Sequence, residues 1–176
     1  MSTHLCTIGP TSFEYETIEF QFQGDKVMKK SELRQIIKEE IQSLLSESTN
    51  SSIGLLNKNG SVSSIYVHWD GSLDSVGKML KTHYKDPTKI AKLIKLGNVS
   101  SLEPKLDPKG THTFKDPEKG VTVFYGRDRG ESSQGSKTSR DAEDYVSKLG
   151  QQYTYLYDPD EKAWTYSKGG PTFNKF

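Results

Sequence analysis

The sequence predicts an α+β fold, and three observations lead to it. Short runs such as Ile65-Tyr66-Val67, Val121-Thr122-Val123 and Tyr153-Thr154-Tyr155 carry the β-branched and aromatic residues that suit a pleated strand. Segments of helical period lie between such runs, over Leu33–Leu45, Val76–Tyr84, Ile90–Leu96 and Ala142–Leu149. Asn59-Gly60 joins two of the runs and supplies the positive φ angles of a tight hairpin turn, so neighbouring strands are expected to run antiparallel. The expected architecture is a mostly antiparallel sheet of about five strands. A helical hairpin and a further helix pack on it, and a strand-helix extension precedes it.

The extension is read over residues 1–48. Phe13–Glu16 and Ile18–Phe22 alternate apolar with polar as a half-buried strand does, and Gly24-Asp25 ends the run. Ser31 can cap a helix in which Leu33, Ile36, Ile37, Ile41, Leu44 and Leu45 form one apolar stripe, suited to the main sheet or to a second copy of the chain. Ser46–Ser51 reads as a polar linker, and the main domain is placed over residues 49–167. There, Ile53–Leu56 and Ile65–Val67 form the hairpin. Ser72 or Asp74 caps a helix with Val76, Met79, Leu80 and Tyr84 on one face. Asp86-Pro87 ends it and opens the next helix, since proline at a first helical position loses no internal hydrogen bond, and Gly97 stops that second helix. Ser100–Lys119 reads as a long surface loop or flap, and Val121–Tyr125 as a strand. A flexible stretch, Glu131–Lys137, leads to a helix with Ala142, Tyr145, Val146 and Leu149 inward. Gln152–Tyr157 and Ala163–Tyr166 pair across Asp158–Glu161, and residues 168–176 read as a flexible tail.

Composition bounds the function. The chain has 176 residues, with 24 basic and 23 acidic side chains and a net charge of +1, so no global field attracts polyanions and duplex nucleic acid is not an expected partner. The single cysteine, Cys6, rules out an intramolecular disulfide framework and a cysteine-based zinc site, and it is compatible with a reducing compartment. No run approaches the ~18 apolar residues of a membrane span, and the start lacks the basic and apolar regions of a secretory signal. Neither a dinucleotide-binding glycine fingerprint nor a phosphate loop occurs, so no cofactor is expected.

Two clusters carry chemistry. The first is His68-Trp69-Asp70-Gly71, where a strand ends in an imidazole, an indole and a carboxylate. His68 and Asp70 suit a metal or an acid/base pair, yet no third ligand or nucleophile is placed by spacing. Equally, Asp70 suits the cap of the next helix, and Trp69 suits either the core or a stacking platform. The second is Tyr125-Gly126-Arg127-Asp128-Arg129-Gly130-Glu131, whose paired guanidinium forks suit phosphates or carboxylates, or a lattice with their own acidic neighbours Asp128 and Glu131. Adjacent strands would bring both clusters to one edge.

The run Asn50–Val62, then Ile65–Gly71, with Gly77, Leu80, His83-Tyr84, Lys92–Ile94, Leu96-Gly97, Ser100–Leu102, Phe124–Glu131 and the Tyr-rich hairpin with Trp164, resembles a set of small bacteriophage-encoded proteins. The likeness covers roughly Asn50–Tyr166, and paired His-Trp-Asp-Gly and Arg-Asp-Arg-Gly-Glu motifs mark it. It departs at Val67, where such proteins carry Cys, and before Asn50, so Met1–Glu47 looks like an added segment. The chain is also similar to the phage anti-CBASS sponge proteins, which bind cyclic di- or trinucleotide signals without turning them over. That resemblance implies a non-catalytic protein in the cytoplasm of an infected bacterial host that sequesters a small anionic signal and blocks anti-phage defence, and a homo-oligomer is expected because a small sheet alone offers little concavity. The candidate ligand-binding residues are His68, Trp69, Asp70, Tyr125, Arg127, Asp128, Arg129 and Glu131. Arginines for phosphates, Trp69 and Tyr125 for base stacking, and the polar groups for base or ribose edges are a chemical inference from side-chain type. Two rivals stand beside it: a metal-assisted phosphodiesterase or hydrolase using His68 and Asp70, and a protein-binding inhibitor of a host factor using the Leu33–Leu45 helix.

Overall fold

A computed structural model describes residues 49–132, 134–149 and 151–176, together with Leu33, Arg34 and Ile37. The expected strand over 13–22 and most of the 33–45 helix lie outside the described residues. Leu33 and Ile37, two positions of the predicted stripe, are helical and each 46% exposed.

The strands are β1 (Ser51–Leu56), β2 (Val62–Val67), β3 (Val99–Ser101), β4 (Val123–Phe124), β5 (Lys137–Ser139), β6 (Tyr153–Asp158), β7 (Ala163–Ser167) and β8 (Asn174–Lys175). A π-helical turn over Leu73–Gly77 runs into α1 (Lys78–His83), followed by α2 (Pro87–Leu96), α3 (Tyr125–Arg129) and α4 (Ala142–Leu149). The fold is α+β, with one open sheet in the order β4-β3-β2-β1-β6-β7-β8, and β5 also pairing with β2. This corrects the expectation of a mostly antiparallel sheet of about five strands. The sheet is mixed, because β1 pairs parallel with β6 and β2 parallel with β3. It has eight strands among the described residues. The helical hairpin is the crossover that parallel pairing of β2 and β3 requires.

The β1–β2 hairpin forms as expected, with Gly60 at φ 83° and Ile53 opposite Ile65. Side chains alternate across the sheet. On one face Ile53, Ile65, Val67, Tyr155, Tyr157 and Trp164 pack under Val76, Leu80, Tyr84, Ile90, Leu93 and Ile94 of the helical hairpin. On the other, α4 lays Tyr145 over Val62 and Leu156. Gly54 is required there, since a Cβ would stand 2.8 Å from the Tyr145 ring. Asp86 accepts from the Thr88 N–H at 2.9 Å and Pro87 opens α2, as read from sequence.

Three expectations change. The linker ends earlier than read, because Ser51 and Ser52 are buried in β1. The 100–119 flap is a fastened strap: it starts inside β3, buries Leu102 and Leu106, and makes a parallel bridge from Lys105 to Val121. Residues 168–176, read as a flexible tail, contain β8, and Phe176 stacks on Tyr155 at 5.9 Å between ring centres.

Candidate functional site

The two clusters meet. Val67 pairs with Val99 and Val99 with Phe124, so the ends of β2 and β4 flank the start of β3. The pairing continues beyond the strands: the His68 and Trp69 N–H groups donate to the Val99 and Ser100 carbonyls, and the Tyr125 N–H donates to the Asn98 carbonyl. Tyr66 and His68, two apart on a strand, share the face that α4 only partly covers.

There an aromatic row forms. Trp69, 40% exposed, stands edge-on to the His68 ring at 4.6 Å, and Tyr125 meets the same imidazole edge-on at 6.4 Å. His68 Nδ1 lies 3.1 Å from the Tyr66 hydroxyl. The Arg129 guanidinium lies between two rings, 4.5 Å from Tyr125 and 4.2 Å from Phe114, and its Nε donates to Glu131 Oε1 at 2.7 Å. Its two terminal amino groups have no acceptor among the described residues. Burial raises the Tyr125 hydroxyl pKa, against the lowering pull of Arg129, so the phenol remains a neutral donor and acceptor at neutral pH.

Arg127 and Asp128 are built differently. Arg127 donates Nε to Asp128 Oδ1, Nη1 to the Leu106 carbonyl, and Nη2 to the Thr122 carbonyl and Asp128 Oδ2, at 2.6 to 2.8 Å. Asp128 Oδ2 also accepts the Phe124 N–H at 2.7 Å and faces His112 Nε2 at 3.3 Å, with both side chains buried. His112 Nδ1 accepts the Glu118 N–H at 2.9 Å, so the neutral imidazole carries its proton on Nε2, toward Asp128. Burial raises the Asp128 pKa, but the Arg127 bond and the Phe124 N–H outweigh it and hold the carboxyl below the usual range. This hub ties β4, α3 and the strap together.

Asp70 takes a left-handed backbone conformation, φ 56°, and its carbonyl accepts the Val76 N–H. Its side chain does not cap the following helical turn, whose cap position is Ser72, itself without a side-chain cap bond. Nor is it bonded to His68, whose ring is bonded to Tyr66. Glu103 is raised by burial and then by the Asp70 charge, so the two carboxylates share a neighbourhood. No group of three or more metal-ligating side chains occurs among the described residues. No helix among them is long and apolar enough to cross a membrane.

Beside Tyr66, a cavity of about 250 Å³ opens, lined by Ser52, Ser64, Ile65, Tyr66, Asn98, Lys137 and Gln151. Sequence reasoning missed Tyr66, Phe114, Asn98 and Lys137. Only Tyr66 had a signal, its two-residue spacing from His68.

No protein-family model matches the chain, and neither a curated protein nor a solved structure matches it.

Proposed function

We propose that this chain is a non-catalytic binding protein for a small anionic ligand with planar rings, a cyclic oligonucleotide, and that it withholds this signal from host anti-phage defence. The observation that carries the ligand class is Arg129, clamped between Phe114 and Tyr125 with its terminal amino groups unengaged and an exposed indole nearby. A guanidinium oriented by two rings loses little freedom when it grips a phosphate, and Trp69 offers a face for a base. Of the candidate residues, His68, Trp69, Tyr125, Arg129 and Glu131 form this corner, Asp70 sits at its margin, and Arg127 and Asp128 hold its frame. The defence role rests on the resemblance to the sponge proteins.

Calorimetry with a panel of cyclic di- and trinucleotides tests the reading. Saturable binding is expected with at least one, weakened roughly tenfold or more in Arg129→Ala, the loss of a charge-assisted bond. Heating the complex should return the nucleotide intact by mass spectrometry. Silence with every member, or an unchanged affinity in Arg129→Ala, overturns the proposal, and a hydrolysed nucleotide favours the phosphodiesterase reading.

A further inference from the structure

The cavity beside Tyr66 exists because the outer edge of β2 is shared. β5 pairs along Val62–Ser64 and β3 pairs at Val67, leaving a gap at Ile65–Tyr66 between the two partners. Asn98 bridges that gap with both ends of its amide, accepting the Tyr66 N–H at 2.9 Å and donating to Gln134 Oε1 at 2.9 Å. Its amide forms part of the rim, and the second N–H of Asn98 Nδ2 has no acceptor among the described residues. Ser64 and Lys137 add two further donors to the lining. Ser64 is 3% exposed, and its hydroxyl makes no hydrogen bond among the described residues. Lys137 pairs with Ser64 across the β2–β5 ladder, so the two side chains stand on one face, about 5 Å apart at Cβ. No carboxylate of the described residues lies within ion-pairing distance of its ammonium.

The Ser64 hydroxyl opening into the cavity and the exposed Lys137 ammonium at its mouth give a space large enough for a phosphate two donors, with the buried Gln151 Oε1 as an acceptor on the same lining. We infer that the cavity is a second anion subsite, in which Lys137 and Ser64 hold one phosphate of the ligand while Arg129 holds another. Tyr66 joins the two: its ring lines the cavity and its hydroxyl meets His68, which packs against Tyr125, the lower wall of the Arg129 clamp. The ligand class narrows to molecules with two phosphates separated by a ring system, and this step rests on the proposed function above.

Nuclear magnetic resonance of the full chain titrated with inorganic phosphate tests the subsite by itself. Saturable shifts are expected at the Ser64, Ile65 and Lys137 amides, with affinity roughly tenfold weaker in Lys137→Ala and several-fold weaker in Ser64→Ala. Unmoved amides at these positions, or unchanged phosphate affinity in Lys137→Ala, overturn it. The same variants are then titrated with cyclic di-adenosine monophosphate. If Arg129→Ala weakens that binding and Lys137→Ala does not, the subsite is overturned and the proposed function survives. If phosphate shifts Ser64 and Lys137 while no cyclic nucleotide of the panel binds, the subsite stands and the proposed function is overturned.

Discussion

Arg127 and Arg129 look alike in the sequence and do opposite things in the fold. Read as an extended turn after a strand, the motif puts both guanidinium groups on one side, as a phosphate grip. Tyr125–Arg129 is helical instead, so residues two apart point about 200° apart. One arginine turns inward to the Leu106 and Thr122 carbonyls, and the other turns to the rings of Phe114 and Tyr125. Five residues, one of them Gly126, closed by Gly130, carry too little periodic signal to announce that helix. His112 was equally illegible, because its partners Glu118 and Asp128 come from a turn of the strap and from α3. The hub has a measurable signature. Asp128→Asn removes the charge that Arg127 and the Phe124 N–H point at, and about 1–3 kcal/mol of stability should go with it by urea unfolding at neutral pH. Because the folded carboxyl titrates below its unfolded value, its stabilisation is present above about pH 4 and is lost as pH falls through the depressed value. The variant should therefore show a flatter acid limb than the parent, and parallel limbs would count against the hub.

Elements with their own pattern were legible. The β1–β2 hairpin, the two helices either side of Asp86-Pro87, α4 and the β6–β7 hairpin all follow from local periodicity and turn chemistry, with no help from the rest of the chain. Strands β3, β4, β5 and β8 have two or three residues each, below the length at which alternation can be read, and neighbouring chain defines them. The parallel β1–β6 pairing was invisible for another reason: both strands were readable, but no local signal encodes which distant strand lies alongside. Gly97 shows the two levels meeting. It was expected to stop α2, and it does so at φ 93°. It also lets residues 134–135 cross over it, with the Gln134 carbonyl only 2.3 Å from where a Cβ would stand. That crossing carries the Asn98 N–H bond to the Gln134 carbonyl at 2.7 Å, beside the cavity. Gly97→Ala should thus cost more than the ~1 kcal/mol of a strained helix end. It should lower the melting temperature and also displace the Asn98 and Gln134 amide resonances. A normal spectrum at these two positions would mean the crossing tolerates a side chain.

At the scale of the molecule, the sheet and its cover are sewn together by aromatic side chains reaching distant backbone. The Tyr155 hydroxyl donates to the Gly71 carbonyl at 2.9 Å, Tyr84 to Glu103 at 2.6 Å, and the Trp164 indole N–H to Tyr84 at 2.7 Å. The Tyr145 hydroxyl donates to the Tyr155 carbonyl at 3.0 Å from the opposite face. The sequence advertised its nine tyrosines, but not that these hydroxyls would be inside. Burial has a consequence at high pH. The Tyr84 phenol is pushed up to about 12 by burial, against the lowering effect of its Thr122 hydrogen bond, and burial raises Tyr145 and Tyr155 as well. An unfolded tyrosine ionises near 10, so each of these groups favours the folded chain fully below about pH 10. The contribution declines as pH climbs toward the folded value, by about 1.4 kcal/mol per pH unit for each protected phenol. The expected titration therefore has a cooperative step between about pH 10 and 12, in which tyrosinate absorbance rises together with the loss of far-ultraviolet circular dichroism. In Tyr84→Phe the step should begin from a lower stability, because the Glu103 carbonyl keeps only the Thr122 hydroxyl of its two side-chain donors, and should fall less steeply with pH, because one protected proton is gone. Smooth ionisation of every tyrosine with the dichroism intact would show that these hydroxyls do not hold the layers together.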